Sequence, residues 1–113
     1  MREIKAIIQP FLLSKVINAL KECEELPGVT VSEVKGFGKA RAQDGIERVV
    51  EDGIDYSKKV KLEIVVPERL VEEVLEIIRA HAHTGRPGDG KIFVYGVDEA
   101  VKIRTGERGE AAI

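Results

Sequence analysis

Thr84 to Val94 reads T-G-R-P-G-D-G-K-I-F-V, gathering three glycines, a proline, an aspartate and two cations within eight residues. Glycines at such spacing let main-chain N–H groups approach a ligand and adopt φ > 0. Successive N–H groups in a turn of this kind form a nest for an anion. Arg86 and Lys91 place positive charge at its two ends, which suits a phosphate. Gly85-x4-Gly90-Lys91 also follows most of a Walker A pattern. It fails at Ile92, where a Ser or Thr would hold Mg²⁺, and it runs from helix to strand rather than strand to helix. A plain alternative is a helix cap at Gly85 followed by a turn at Pro87-Gly88.

The elements that must position this stretch are legible on either side of it. Arg2 to Gln9 alternates, with Ile4, Ala6 and Ile8 on one face, and predicts a first strand that Pro10 ends. Leu13, Val16, Ile17 and Leu20 predict an amphipathic helix over about Leu12 to Glu24, with Ser14 as a candidate N-cap. Val29 to Lys35 predicts a second strand, ended by Gly36-Phe37-Gly38. Lys59 to Val66 predicts a third, with Val60, Leu62, Ile64 and Val66 facing a core. Pro67 opens a second helix whose stripe is Leu70, Val71, Val74, Leu75, Ile77 and Ile78, ending near Gly85. Lys91 to Val97 predicts a fourth strand. Val101 to Thr105 predicts a short extra one that projects Lys102 and Arg104 from one face, followed by a loose polar tail from about residue 105 to 113.

The segment 38–58 is dense in charge and too long for a simple connection, so it is expected to be a long flexible loop, functional or mobile, with a tolerated insertion as the plain alternative. Ile46, Val49 and Val50 have helical spacing, which allows a short helix there in the presence of a partner. The order of elements predicts one α+β domain over 1–113 with a ferredoxin-like βαββαβ sandwich: a four-stranded antiparallel sheet with two helices on one face. The uncovered face predicts association between copies.

Composition narrows the function. The net charge of −2 and the lack of an interleaved basic and aromatic stripe argue against nucleic acid. No run is long enough to span a bilayer, and Arg2, Glu3 and Lys5 interrupt any apolar leader, so a soluble cytoplasmic protein with no membrane insertion is expected. Cys23, the single cysteine, reads as a small apolar residue. His81 and His83 do not share a helical face, and no metal site is expected.

Five segments together carry a family resemblance: A-I-I-Q-P-F from Ala6, V-K-G-F-G-K from Val34, K-V-K-L-E from Lys59, T-G-R-P-G-D-G-K-I-F from Thr84, and I-R-T-G-E-R-G from Ile103. On these the chain resembles the PII signal-transduction proteins over nearly its whole length. The resemblance implies a homotrimer that binds ATP or ADP, with Mg²⁺ possible beside ATP, in clefts between subunits. By resemblance Ile7, Thr30, Gly36, Phe37, Gly38, Lys39 and Val65 line one wall, and Gly88, Asp89, Gly90 and Lys91 hold the phosphates. Lys102 and Arg104 then enter from the neighbouring subunit. Lys39 and Lys102 stand where members usually have Arg, which keeps the charge and loses a bidentate donor.

The long loop matches the family's partner-binding loop, which implies a protein partner: an ammonium channel, another membrane transporter or a nitrogen-metabolism enzyme. Arg48 and Glu51 fit that loop's pattern, and Lys59 marks its base. Two departures stand out. Asp52 replaces the tyrosine that many bacterial members have uridylylated, leaving Tyr56 near the base. Ala40 replaces a glutamine that supplies a Mg²⁺ ligand beside 2-oxoglutarate, so binding of that effector is expected to be weak or absent; Gln43 could substitute only by refolding the loop. The expected role is regulatory rather than enzymatic. The rivals are a slow ATPase using Lys91 and a metal, and a nucleotide-free structural or metal-tolerance trimer of the same fold.

Overall fold

The structure is a computed structural model that describes residues 1–38 and 47–113. Seven elements follow in order: strand β1 (Arg2–Ile8), helix α1 (Leu13–Lys21), β2 (Thr30–Gly36), β3 (Arg48–Glu51), β4 (Ile54–Val66), helix α2 (Val71–Ala82) and β5 (Gly90–Gly96). The main sheet has the antiparallel order β2-β4-β1-β5, so β2 and β5 are its edges. This is the split β-α-β arrangement expected from the alternation of elements.

The core lies between the sheet and the two helices. Ile4, Ala6 and Ile8 of β1 and Val60, Leu62, Ile64 and Val66 of β4 are buried against Val16 and Leu20 of α1 and Val74, Ile78 and Ala82 of α2. Truncating a fully buried Leu62 or Ile64 to alanine costs about 2–5 kcal/mol in such a core. The opposite face carries Lys5, Ile7, Lys61, Glu63, Val65, Phe93 and Tyr95, none of them buried. The Lys5 ammonium sits 5.0 Å from the Tyr95 ring centre on this face.

Several boundaries differ from the sequence expectations. Each helix begins with a 3-10 turn, Pro10–Leu12 before α1 and Glu68–Leu70 before α2. Ser14 is therefore not the N-cap of α1; Leu12 occupies that position and no side chain caps it. Helix α2 ends at Ala82, and His83 is already extended, so Gly85 is not the cap residue. Cys23 lies just beyond α1 and is half-buried.

The largest correction concerns the long loop. Val49 and Val50 belong to strand β3, not a helix, and Ile46 lies outside the described residues. β3 pairs with a β4 that starts five residues earlier than expected, at Ile54. Asp52 and Gly53 join them with φ of +50° and +78°. Two successive positive φ values define the type I′ turn that closes two-residue hairpins, and Asp-Gly is a favoured sequence for it. Ser57 pairs with both Gly36 and Arg48, so β2 and β3 lie on opposite edges of β4. β3 therefore continues the line of β1 beyond its end. An Arg48–Asp55 ion pair of 2.9 Å and a Lys35–Glu51 pair brace this ribbon. Lys35 also lies 5.1 Å from the Tyr56 ring centre, and Tyr56 packs beside Phe37.

The tail is also more ordered than expected. Residues 101–105 do not form a strand. Val101 makes a single bridge with Arg108, and the N–H groups of Lys102 and Gly106 bond to the carbonyls of Glu107 and Lys102. A 3-10 turn, Gly109–Ala112, follows. Arg69 ties it down, reaching Glu110 at 2.9 Å and Glu25 at 3.6 Å.

Candidate functional site

The glycine-rich stretch connects α2 to β5 at one end of the sheet. Its turn is at Pro87-Gly88, and Gly85, Gly88 and Gly90 have φ of +88°, +95° and +102°. Gly90 meets the strictest demand. A Cβ there would lie 1.7 Å from the Ile7 carbonyl oxygen, inside main-chain atoms that cannot swing aside. The loop thus rests directly on β1, as only glycine permits.

Asp89 gives the loop its shape. Its carboxylate accepts from the N–H of Thr84 at 2.8 Å, the N–H of Gly85 at 2.9 Å, and the Thr84 hydroxyl. The Thr84 oxygen in turn accepts from the Arg86 N–H at 3.1 Å. Partial burial pushes the Asp89 carboxyl upward, but the bonds from Thr84 and Gly85, with some attraction from His83, outweigh it and hold the group below its ordinary range. These bonds commit the N–H groups of residues 84–86 to the loop itself. The N–H groups of Gly88 and Asp89 have no acceptor among the described residues. The expected anion nest narrows to these two donors, with Lys91 exposed beside them.

The Gly88 carbonyl is held from beneath by two donors, the Gln9 amide at 2.7 Å and the Lys59 ammonium. Burial lowers the Lys59 pKa, and attraction to Asp89 partly restores it. Lys59 thus links the base of the β3–β4 ribbon to the glycine loop. Gln9 was not singled out as a site residue from sequence. The available signal was a lone amide in the otherwise apolar run Ala6 to Phe11.

The remaining expected residues separate into groups. Ile7, Asp89, Gly90 and Lys91 line a cavity of about 200 Å³ together with Ile78, Ala82 and His83 of the α2 end. Thr30, Val65 and Lys102 line a different one, of about 720 Å³, with Glu3, Gly28 and Glu63. The first opens beside α2; the second opens on the helix-free face at the β2–β4 edge. Three strand spacings of about 4.8 Å, some 14 Å in all, separate the β2 and β5 edges. Gly36 ends β2, and Phe37 and Gly38 follow it near the ribbon; Lys39 lies outside the described residues. Arg86 and Arg104 are exposed and line neither cavity. Lys102 and Arg104 do not share a strand face, because the turn around Gly106 folds residues 102–107 back on themselves.

Lys35, Glu47, Glu51 and Lys58 line a third groove, of about 370 Å³, between the ribbon and Pro10. Among the described residues no group of three or more His, Cys, Asp or Glu side chains is placed to hold a metal. The His81 ring nitrogen lies 2.7 Å from the Ile77 carbonyl within its own helix. No helix among the described residues is long and apolar enough to cross a membrane.

Fold and site together define an α+β ferredoxin-like domain with a glycine loop braced by Asp89, Gln9 and Lys59. Comparison with known proteins gives that domain its family. The family model described as nitrogen regulatory protein P-II matches residues 1–107. The proteins called nitrogen regulatory protein P-II of Rhodospirillum rubrum and Azospirillum brasilense are each 50% identical to the chain over 113 residues, covering all of both partners. Nitrogen regulatory protein P-II 1 of Escherichia coli K12 is 47% identical over the same full span. The chain belongs to the nitrogen regulatory protein P-II family.

Proposed function

We propose that this protein is a homotrimeric sensor of ATP and ADP that regulates a protein partner of nitrogen metabolism through its 38–58 loop. The observation that carries the reading is the glycine loop: Asp89 consumes one set of main-chain donors to fix its shape, leaving Gly88 and Asp89 N–H groups beside Lys91 for a phosphate. The separation of the two cavities supports a shared cleft. A ligand that uses Lys91 and also Thr30, Val65 and Lys102 takes the first from one subunit and the others from its neighbour. In such a trimer the cations of Arg86 and Arg104 flank the phosphates.

Nucleotide acts on the ribbon only if it binds two ribbon conformations with different affinity. The shared Gly88 carbonyl gives it a route, since Lys59 stands on the strand that becomes the ribbon. The partner is a membrane transporter such as an ammonium channel, or an enzyme, engaged by residues including Arg48 and Glu51. Asp52 at the hairpin tip offers no hydroxyl for uridylylation, and Tyr56 is half-buried beside Phe37. With Ala40 in place of a ligating glutamine, 2-oxoglutarate binds weakly or not at all. Hydrolysis is the lesser reading, because Asp89 spends its carboxylate on the loop rather than on a water or metal.

Calorimetric titration with ATP and ADP, with and without Mg²⁺, tests the reading. Lys91→Ala should weaken both by about 1.5–3 kcal/mol, the range of a charge-assisted contact, with the melting transition intact. No binding by the wild-type protein, or equal binding by the variant, overturns it.

A further inference from the structure

Among the described residues Gln9 is the polar side chain that is buried, only 4% exposed. Its Nε2 donates to the Gly88 carbonyl at 2.7 Å, an orientation fixed because the amide oxygen would oppose another oxygen there. Its Oε1 is buried with no hydrogen-bond partner among the described residues. An orphaned buried acceptor is a standing cost. Gly88 does not need Gln9 for its own satisfaction, because Lys59 already donates to the same carbonyl. An amide that adds a second donor to a satisfied carbonyl, and leaves its own oxygen orphaned, is a poor device for stability.

It is a good device for orientation. Gln9 directly follows β1, and Pro10 confines the residue before it to extended backbone, here φ −69° and ψ 135°. Its own carbonyl is fixed by the Leu12 N–H at 3.1 Å. The side chain thus projects from a rigid base. Lys59, by contrast, is a charged, flexible donor that an incoming anion can draw away.

We propose that Gln9 is the positioning residue of the glycine loop, clamping the Gly88 carbonyl inward so that the N–H groups of Gly88 and Asp89 stay turned toward a bound phosphate. This rests on the nucleotide reading above for its ligand, but the clamp itself is a property of the free protein. Lys59 can then leave the Gly88 carbonyl without the loop losing its shape.

The test uses Gln9→Met, which keeps length and apolar volume while removing both the donor and the orphaned oxygen. The first readout is amide hydrogen exchange in the nucleotide-free protein. Thr84 and Gly85, whose N–H groups reach the Asp89 carboxylate only while the loop keeps its shape, should exchange several-fold faster than in wild type. The second is ATP titration, where the dissociation constant should rise about 3- to 10-fold, the equivalent of one net hydrogen bond. The melting midpoint should not fall, since Gly88 keeps Lys59 and the orphan is gone. Gln9→Glu, which sets an oxygen against the carbonyl, should move both readouts in the same direction. Unchanged exchange overturns the proposal, as does a lowered midpoint with unchanged affinity, which would make Gln9 merely structural. Wild-type protein that does not bind ATP overturns the nucleotide reading instead, and the exchange measurement still decides the clamp.

Discussion

Replacing Gly90 by alanine probes the contact on which the loop's position depends. Two costs add. At φ +102° an L-residue is held in a sparsely populated region, at about 1–3 kcal/mol. The new Cβ also falls 1.7 Å from the Ile7 oxygen, so the start of β5 must lift away from β1. Lifting it breaks the Ile8–Gly90 pairing and strains Ile7–Lys91, one or two hydrogen bonds at about 1 kcal/mol each. The expected loss is about 2–5 kcal/mol. Gly85→Ala is the internal control. Its φ is +88°, but its Cβ would meet only the His83 ring, at 3.8 Å, so about 1–2 kcal/mol is expected. Urea denaturation at one fixed protein concentration measures both, because the stability of an oligomer depends on concentration. A Gly90→Ala loss within 1 kcal/mol of the Gly85→Ala loss would refute the steric argument.

Two further outcomes are expected. The Asp89 carboxyl is held below its ordinary value of 3.8, so its contribution is complete above that pH and disappears as pH falls through the lowered folded value. The stability difference between wild type and Asp89→Asn, compared by urea midpoints at pH 6 and pH 3, should therefore shrink in acid; a constant difference would count against the bracing role. Light scattering should give about 38 kDa, three times 12.5 kDa, and a monomer at micromolar concentration would remove the shared cleft.

Where burial was strong, periodicity exposed the fold. The alternation of Val60 to Val66 and the stripe of Leu70 to Ile78 mark the core-facing residues because each must leave water on one side only. Residues 48–58 hid their strands, because polar side chains on a ribbon carry little face preference and pairing partners decide. Asp52-Gly53 was the overlooked signal; an Asp-Gly step between β-capable residues marks a type I′ turn whatever the helical spacing of its neighbours. The tail was misread for a different reason: Arg69, more than thirty residues earlier, holds it by charge.

For the site, composition revealed the glycine loop but not its internal economy. That Asp89 turns inward toward Thr84, and that Gln9 reaches Gly88, are contacts between residues on separate elements. Nor does spacing disclose that Lys91 and Thr30 stand at opposite edges of the sheet. That follows from strand order, which no local pattern encodes.

β4 runs unbroken from Ile54 to Val66, its far half inside the sheet and its near half in the ribbon. Side chains alternate with a period of two along the whole of it, so both halves share one phase. Inserting or deleting a single residue between Ser57 and Val60 would leave Leu62 and Ile64 facing the core only by turning Tyr56 and Ile54 to the other side of the ribbon. Lineages carrying this fold are thus free to lengthen or shorten the chain at the Asp52-Gly53 turn or ahead of Glu47, whereas the stretch joining ribbon to sheet tolerates changes of residue but not of count.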